Sequence, residues 1–162
     1  MVRTRELNIL ISDGTDNCIN QETFMDLRIK FHYAIRKKLK TVILTINSSG
    51  GDVFSGIAII DSIRELQFNN IHVVGKVVGL AASMSVFILQ ACDERIIGQN
   101  SWLMLHGPTH SSIGDVDIQE TTVELDLLKK LAEQFSEFMS SKTHKELEYW
   151  KNKLTSKCYE FI

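Results

Sequence analysis

"IHVVGKVVGLAASMSVFILQ", residues 71–90, decides how this chain folds. Its first eight residues form an apolar, mostly β-branched run, the pattern of a strand buried in a parallel sheet. "GLAASM" (79–84) then turns the strand into a helix placed from about 81 to 92. Within the turn Ser83 sits between Ala82 and Met84. It is either a residue small enough for a tight strand-to-helix turn, or a nucleophile whose small neighbours clear space around it. On local sequence alone the structural serine is the weightier reading.

The same alternation extends outward. "LNILI" (7–11) reads as a strand, and Asn20 caps a helix over 21–39 in which Phe24, Leu27, Phe31 and Ile35 recur at helical spacing. "TVILTI" (41–46) reads as a strand buried on both faces. After "NSSGGD" a helix over 53–67 carries Ile59, Ile63 and Leu66 on one stripe. "RII" and "WLML" read as two short strands, the second ending at His106. A long amphipathic helix over 117–141 follows, with Leu128, Leu131, Phe135 and Phe138 on one face, and then a short helix over 143–154 with Leu147 and Trp150. Strand–helix alternation predicts an α/β fold of βαβ units around a mainly parallel sheet, as a single domain over 1–162. Sites in such folds lie beyond the carboxyl ends of the strands. Gly50–Gly51, Ser83 and His106 each follow directly on a strand.

Bulk properties narrow the function. With 162 residues, 44% hydrophobic and 23% charged, the composition is that of an ordinary globular domain. A net charge of −2 without a basic block gives no nucleic-acid footprint. Cys18, Cys92 and Cys158 are odd in number and widely spaced, which favours a reducing compartment over a disulfide framework. The N-terminal apolar run is too short for a signal peptide, and no run approaches the roughly 18 residues of a membrane span. The chain is expected to be soluble and cytoplasmic.

Three segments offer chemistry. The start of a helix gives Ser83 partial positive charge for a developing oxyanion, and the Met84 N–H is a donor to it. The G-x-S-x-G elbow of α/β-hydrolases is absent. In "NSSGGD" two glycines let the backbone approach a ligand closely, or simply make a left-handed turn; neither phosphate-loop pattern is present. His106 has the position a general base needs, although a lone histidine at a strand end is more often structural. His32, His72, His110 and His144 lie in a basic helix, at a strand start and in polar segments.

In combination these pieces are specific. "INSSGGDVFSGIAIIDSI", "GKVVGLAASM" and "NSWLMLHGP", in that order, closely resemble the proteolytic subunit of the Clp protease, whose forms are N-S-P-G-G, G-x-A-A-S-M and M-I-H-Q-P. The likeness runs from about residue 6 to about residue 154. It implies the ClpP/crotonase-like spiral of ββα units with a long helical handle, and a serine peptidase that needs no cofactor or metal. Carried over, Ser83 resembles the nucleophile, His106 the general base, and the N–H groups of Gly51 and Met84 the oxyanion hole. The helix over 117–141 resembles the handle through which two rings meet. The implied partners are further copies in a stacked double ring, an AAA+ unfoldase and polypeptide substrates, with no nucleic acid or membrane. "IHVVGKVVGLAAS" is also similar to phage and prophage ClpP-like proteases.

The departures are as informative. Aligning "EYWKNKLTSKCYEFI" puts Lys157 where the family has its catalytic aspartate; Glu160 is the nearest acid, and the chain stops before the family's closing strand and helix. A Ser–His dyad, an acid from elsewhere and an impaired ring subunit or scaffold all follow from that. Ser49 replaces the family proline, Gly107 follows the histidine in place of glutamine, and "THSSIGDVD" replaces the glycine-rich substrate strand. The N-terminal gate segment is missing or very short, and Ile43 and Thr45 stand where aromatics dock the unfoldase. A true crotonase has no use for Ser83 beside a histidine. A Ser–Lys peptidase would need Lys76, which lies mid-strand.

Overall fold

A computed structural model describes residues 6–12, 18–109, 118–155 and 160–161. The elements are β1 (Glu6–Ser12), α1 (Gln21–Arg36), β2 (Thr41–Ser48), α2 (Val53–Phe68), β3 (His72–Ala82), α3 (Met84–Ala91), β4 (Glu94–Ile97), β5 (Trp102–Leu105), α4 (Ile118–Lys142), α5 (Leu147–Thr155) and β6 (Glu160–Phe161). The chain divides into two compact units, Met1–Met104 with Phe161–Ile162, and Leu105–Glu160.

The first unit carries the sheet. Its strands run in the order β1-β2-β3-β5-β6, with β4 also paired to β3, and the β1–β2, β2–β3, β3–β4 and β3–β5 pairs are all parallel. This is the α/β architecture expected from strand–helix alternation. Each helix starts where the sequence offers a cap. Asn20 accepts the Thr23 N–H at 2.9 Å, and Asp52 accepts the Ser55 N–H at 2.7 Å, satisfying amides that the first turn leaves unpaired. Leu27 and Phe31 of α1, and Ile59, Ile63 and Leu66 of α2, are fully buried.

Two expectations need correction. β2 is not buried on both faces: Val42, Leu44, Ile46 and Ser48 are buried while Thr41, Ile43 and Thr45 are half-buried. β1 alternates likewise, with Ile9 and Ile11 buried and Leu10 exposed. One face of these strands meets the helical layer, and the apolar residues on the other lack full cover. β3 is also longer than the residues 71–78 expected. It continues through Ala82, and α3 begins only at Met84.

The reason is a bulge. The β2–β3 register passes from Ile46↔Val77 to Ser48↔Ala81, so β3 advances four residues while β2 advances two. Gly79 takes φ +93, a conformation that glycine adopts without a steric penalty. The displaced backbone is satisfied by side chains from β2 and from the turn before β5. Asn47 Oδ1 accepts the Leu80 N–H at 3.2 Å; Ser101 Oγ accepts the Gly79 N–H at 3.0 Å and donates to the Val77 carbonyl at 3.2 Å. Before the bulge β3 pairs with β4 through Val74–Val77, and after it with β5 through Leu80–Ala82. The bulge thus transfers β3 from one partner to the next just ahead of Ser83.

The second unit packs α5 on α4. Leu131 and Phe135 are buried, with Ala132, Ser136 and Met139, whereas Leu128 and Phe138 are half-buried. Trp150 is buried and its Nε1–H donates to Thr143 Oγ1 at 2.9 Å. In the first half of α4, Val123 is 70% exposed, and Leu125 and Leu127 are exposed as well. Among the described residues no helix is long and apolar enough to cross a membrane.

Candidate active site

Ser83 sits between the end of β3 and the first turn of α3 at φ 53 and ψ −124. A non-glycine residue in so sparsely populated a region costs of order 1–3 kcal/mol and persists only where its surroundings hold it. Both its backbone groups are held: its N–H donates to the Met104 carbonyl at 2.8 Å, and its carbonyl accepts the Val86 N–H at 3.0 Å. A serine at a helix N-cap ordinarily spends its hydroxyl on a first-turn amide. Ser83 makes no such bond. A strained, half-buried serine that does not cap its own helix is hard to explain as a small turn residue.

The glycine loop meets this turn. A Cβ on Gly50 would lie 2.7 Å from the Ala82 carbonyl oxygen, 2.7 Å from Ser83 Cβ and 3.0 Å from the Met84 nitrogen. Gly51, at φ +146, would drive a Cβ into the backbone of Ile19. Ile19 donates its N–H to the Gly50 carbonyl at 2.6 Å and accepts the Asp52 N–H at 2.7 Å. This bridge between Ile19 and Gly51 uses the groups on either side of the Gly51 N–H and leaves that N–H outside it. The Met84 N–H belongs to the first turn of α3, where helical amides have no carbonyl four residues back. The structure therefore brings three of the four expected site residues, Gly51, Ser83 and Met84, into one corner of the first unit.

His106 follows directly on β5 and belongs to the second unit. Its Nδ1 lies 2.6 Å from the Gly107 carbonyl oxygen. A carbonyl only accepts, so in the neutral ring Nδ1 carries the hydrogen and Nε2 the lone pair, the tautomer a general base needs. Gly107 is buried, and a Cβ there would overlap the carbonyl oxygen of Leu154 at the end of α5. That contact gives a physical reason for glycine where the family has glutamine.

Lys157 and residues 110–117 lie outside the described residues, and Glu160 belongs to the short strand β6, which the sequence did not suggest. Lys76 is exposed and pairs in register with Thr45 and Ile96. From Thr45 to Ser48, the partner of Ala81, the sheet already advances about 10 Å, so a Ser–Lys pair with Ser83 is out of reach. Among the described residues no group of three or more His, Cys, Asp or Glu side chains could hold a metal ion.

Sequence reasoning missed Ile19 and the side chains of Ser48 and Ser85. Ser48 Oγ accepts the Gly50 N–H at 3.1 Å, and Ser85 Oγ lies 3.0 Å from the Ser48 carbonyl oxygen and 2.7 Å from that of Ala82. No spacing rule marks a lone serine beside a turn, so only the fold could reveal them.

A profile of the Clp protease family matches residues 5–159. The chain is 36% identical over 110 residues to the ATP-dependent Clp protease proteolytic subunit of Pleurastrum terricola, covering 67% of this chain and 53% of that protein. It is 34% identical over 111 residues to ATP-dependent Clp protease proteolytic subunit 1 of Prochlorococcus marinus, covering 67% of this chain and 54% of that one. The homologous subunit of Aethionema cordifolium matches at 34% over 143 residues, 87% of this chain and 69% of its own length. The chain thus spans about half the length of the first two relatives. With a match over nearly its whole length, and with the turn and glycine loop placed as described, this chain belongs to the Clp protease family.

Proposed function

We propose that this chain is a serine endopeptidase, the proteolytic subunit of a self-compartmentalised Clp-type protease. Ser83 Oγ attacks the scissile carbonyl carbon and His106 Nε2 takes its proton. The N–H groups of Gly51 and Met84 hold the resulting oxyanion, and the protonated histidine then gives its proton to the leaving amine. Water hydrolyses the acyl-enzyme by the same route. The observation that carries this reading is the strained backbone of Ser83, with a hydroxyl that does not cap α3. For His106 the support is chain placement: Met104 stands opposite Ala82 and accepts the Ser83 N–H, and the histidine follows two residues later.

The Nδ1–H bond to Gly107 supports the tautomer a general base needs, and Lys157 stands in the place of the family aspartate. That same lysine also supports a second reading, a ring subunit whose chemistry has lapsed. A fluorophosphonate probe separates the two. An adduct mapped to Ser83 by mass spectrometry is expected; none, in folded and oligomeric protein, gives the scaffold reading its place. Restoring aspartate with Lys157→Asp is then the next step.

Assembly belongs to the same proposal. Val123 and Leu127, one turn apart, are exposed on one side of the first half of α4 and Leu125 is exposed on the other, more apolar surface than a free helix ordinarily carries. We expect stacked rings meeting through this helix, polypeptide substrates and an AAA+ unfoldase partner. Light scattering should give a mass several times 18.4 kDa; a monomer at working concentration would remove the handle role from α4. A cytoplasmic setting fits Cys18 and Cys92, which are not in disulfides.

A further inference from the structure

We propose that Ser85, acting with Ser48, is a positioning residue that locks the two halves of the oxyanion site together; the inference rests on the peptidase reading of Ser83. Ser85 is completely buried and Ser48 is 2% exposed. A serine in the first turn of a helix often back-bonds to a carbonyl three or four residues earlier, and the 2.7 Å approach of Ser85 Oγ to the Ala82 carbonyl is such a bond. The 3.0 Å approach to the Ser48 carbonyl is not local, because it crosses from α3 to the end of β2. One hydroxyl proton is therefore shared between the carbonyl just before Ser83 and the carbonyl three residues before Gly51.

The connection continues from Ser48. Its own Oγ accepts the Gly50 N–H at 3.1 Å, and the Gly50 carbonyl accepts the Ile19 N–H. Along the loop this places Gly50 N–H on Ser48, Gly50 C=O on Ile19 and Asp52 N–H on Ile19, with the Gly51 N–H left over. Ser85 adds a buried side-chain tie between the loop and the nucleophile turn to the backbone pairing of Ser48 with Ala81, and it acts on the carbonyl directly before Ser83. An oxyanion hole works by donors already aimed at where charge develops, so a small rotation of one donor lowers the rate without weakening ground-state binding. Burial strengthens the argument, since a buried hydroxyl without a partner is costly to keep and Ser85 has two acceptors.

The test is saturation kinetics of fluorophosphonate labelling at Ser83, resolved into the maximal rate and the half-saturating concentration, for wild type, Ser85→Ala and Ser48→Ala. Each variant is expected to lower the maximal rate about tenfold, below the 10²–10³-fold that follows complete removal of a donor. Half-saturation should stay within about twofold, because the probe's binding surface is untouched. A general loss of structure would instead move both parameters and the thermal midpoint together. If Ser85→Ala does not fold, Ser85→Cys, which keeps the shape of the side chain but weakens the donor, decides: a maximal rate about tenfold lower supports the lock, and a rate within twofold of wild type overturns it. Labelled wild type with unaffected variants removes this inference and leaves the peptidase reading standing. Wild type that takes no label at Ser83 removes both.

Discussion

Ser83→Ala is expected to abolish labelling and to lower peptide hydrolysis at least about 10⁴-fold, a loss of roughly 5.5 kcal/mol of barrier reduction, while the fold is kept. The separation of activity from stability follows from the turn. The hydroxyl makes no capping bond, so its removal takes away no support from α3. Alanine meets the same steric cost as serine at φ 53, and the bonds to Met104 and Val86 are made by the backbone alone. The thermal midpoint should therefore move little, within about 0.5 kcal/mol of wild-type stability. Ser83→Gly extends the argument. Glycine relieves the positive φ, so that variant should be equally inactive yet as stable as wild type or more so, by up to about 1 kcal/mol. Peptide turnover by Ser83→Ala comparable to wild type would remove Ser83 as nucleophile; a destabilised Ser83→Gly would show that the turn stores no strain.

Much of this was legible in the sequence because each element advertises itself over a few residues. The helical stripes of α1 and α2, the Asn20 cap and the glycine pair after β2 are local patterns, and they appear where the residues put them. The α/β fold and the family follow from their order. What the sequence concealed depends on neighbours from elsewhere in the chain. β3 runs on through Ala82 because Asn47 from β2 and Ser101 from the turn before β5 satisfy a bulge that periodicity reads as an end of strand. β2 looked doubly buried because Ile43 and Thr45 are β-branched, yet burial depends on what covers them, and both remain partly accessible. Ser83 was ambiguous for a related reason. Its composition is that of any small turn residue, and its dihedral angles, which no local pattern shows, set it apart. Gly107 reads as a departure from the family until the carbonyl of Leu154 is seen to occupy the space a side chain would need.

Gly50→Ala is expected to lower both activity and stability. At φ +102 an L-residue is already strained by about 1–2 kcal/mol. The added Cβ would stand 2.7 Å from the Ala82 oxygen and from Ser83 Cβ, and the first of these is backbone that no rotamer change can move aside. Relief requires the loop and the nucleophile turn to part, which takes the Gly51 N–H out of range of an oxyanion on Ser83. We expect labelling of Ser83 to fall about 10²-fold or more, as for the loss of an oxyanion donor, with a clear drop in the thermal midpoint. Gly56→Ala is the control. It adds the same carbon in the interior of α2, where it would meet the side chain of Met84, and not the backbone amide that the mechanism uses. Relief there moves a buried side chain and not backbone, so Gly56→Ala is expected to lower stability but to keep more of the labelling rate than Gly50→Ala. Wild-type labelling by Gly50→Ala would mean that the close approach of loop and turn has no part in the chemistry. Equal losses in the two variants would mean that general packing around Met84, not the approach of the loop, sets the rate.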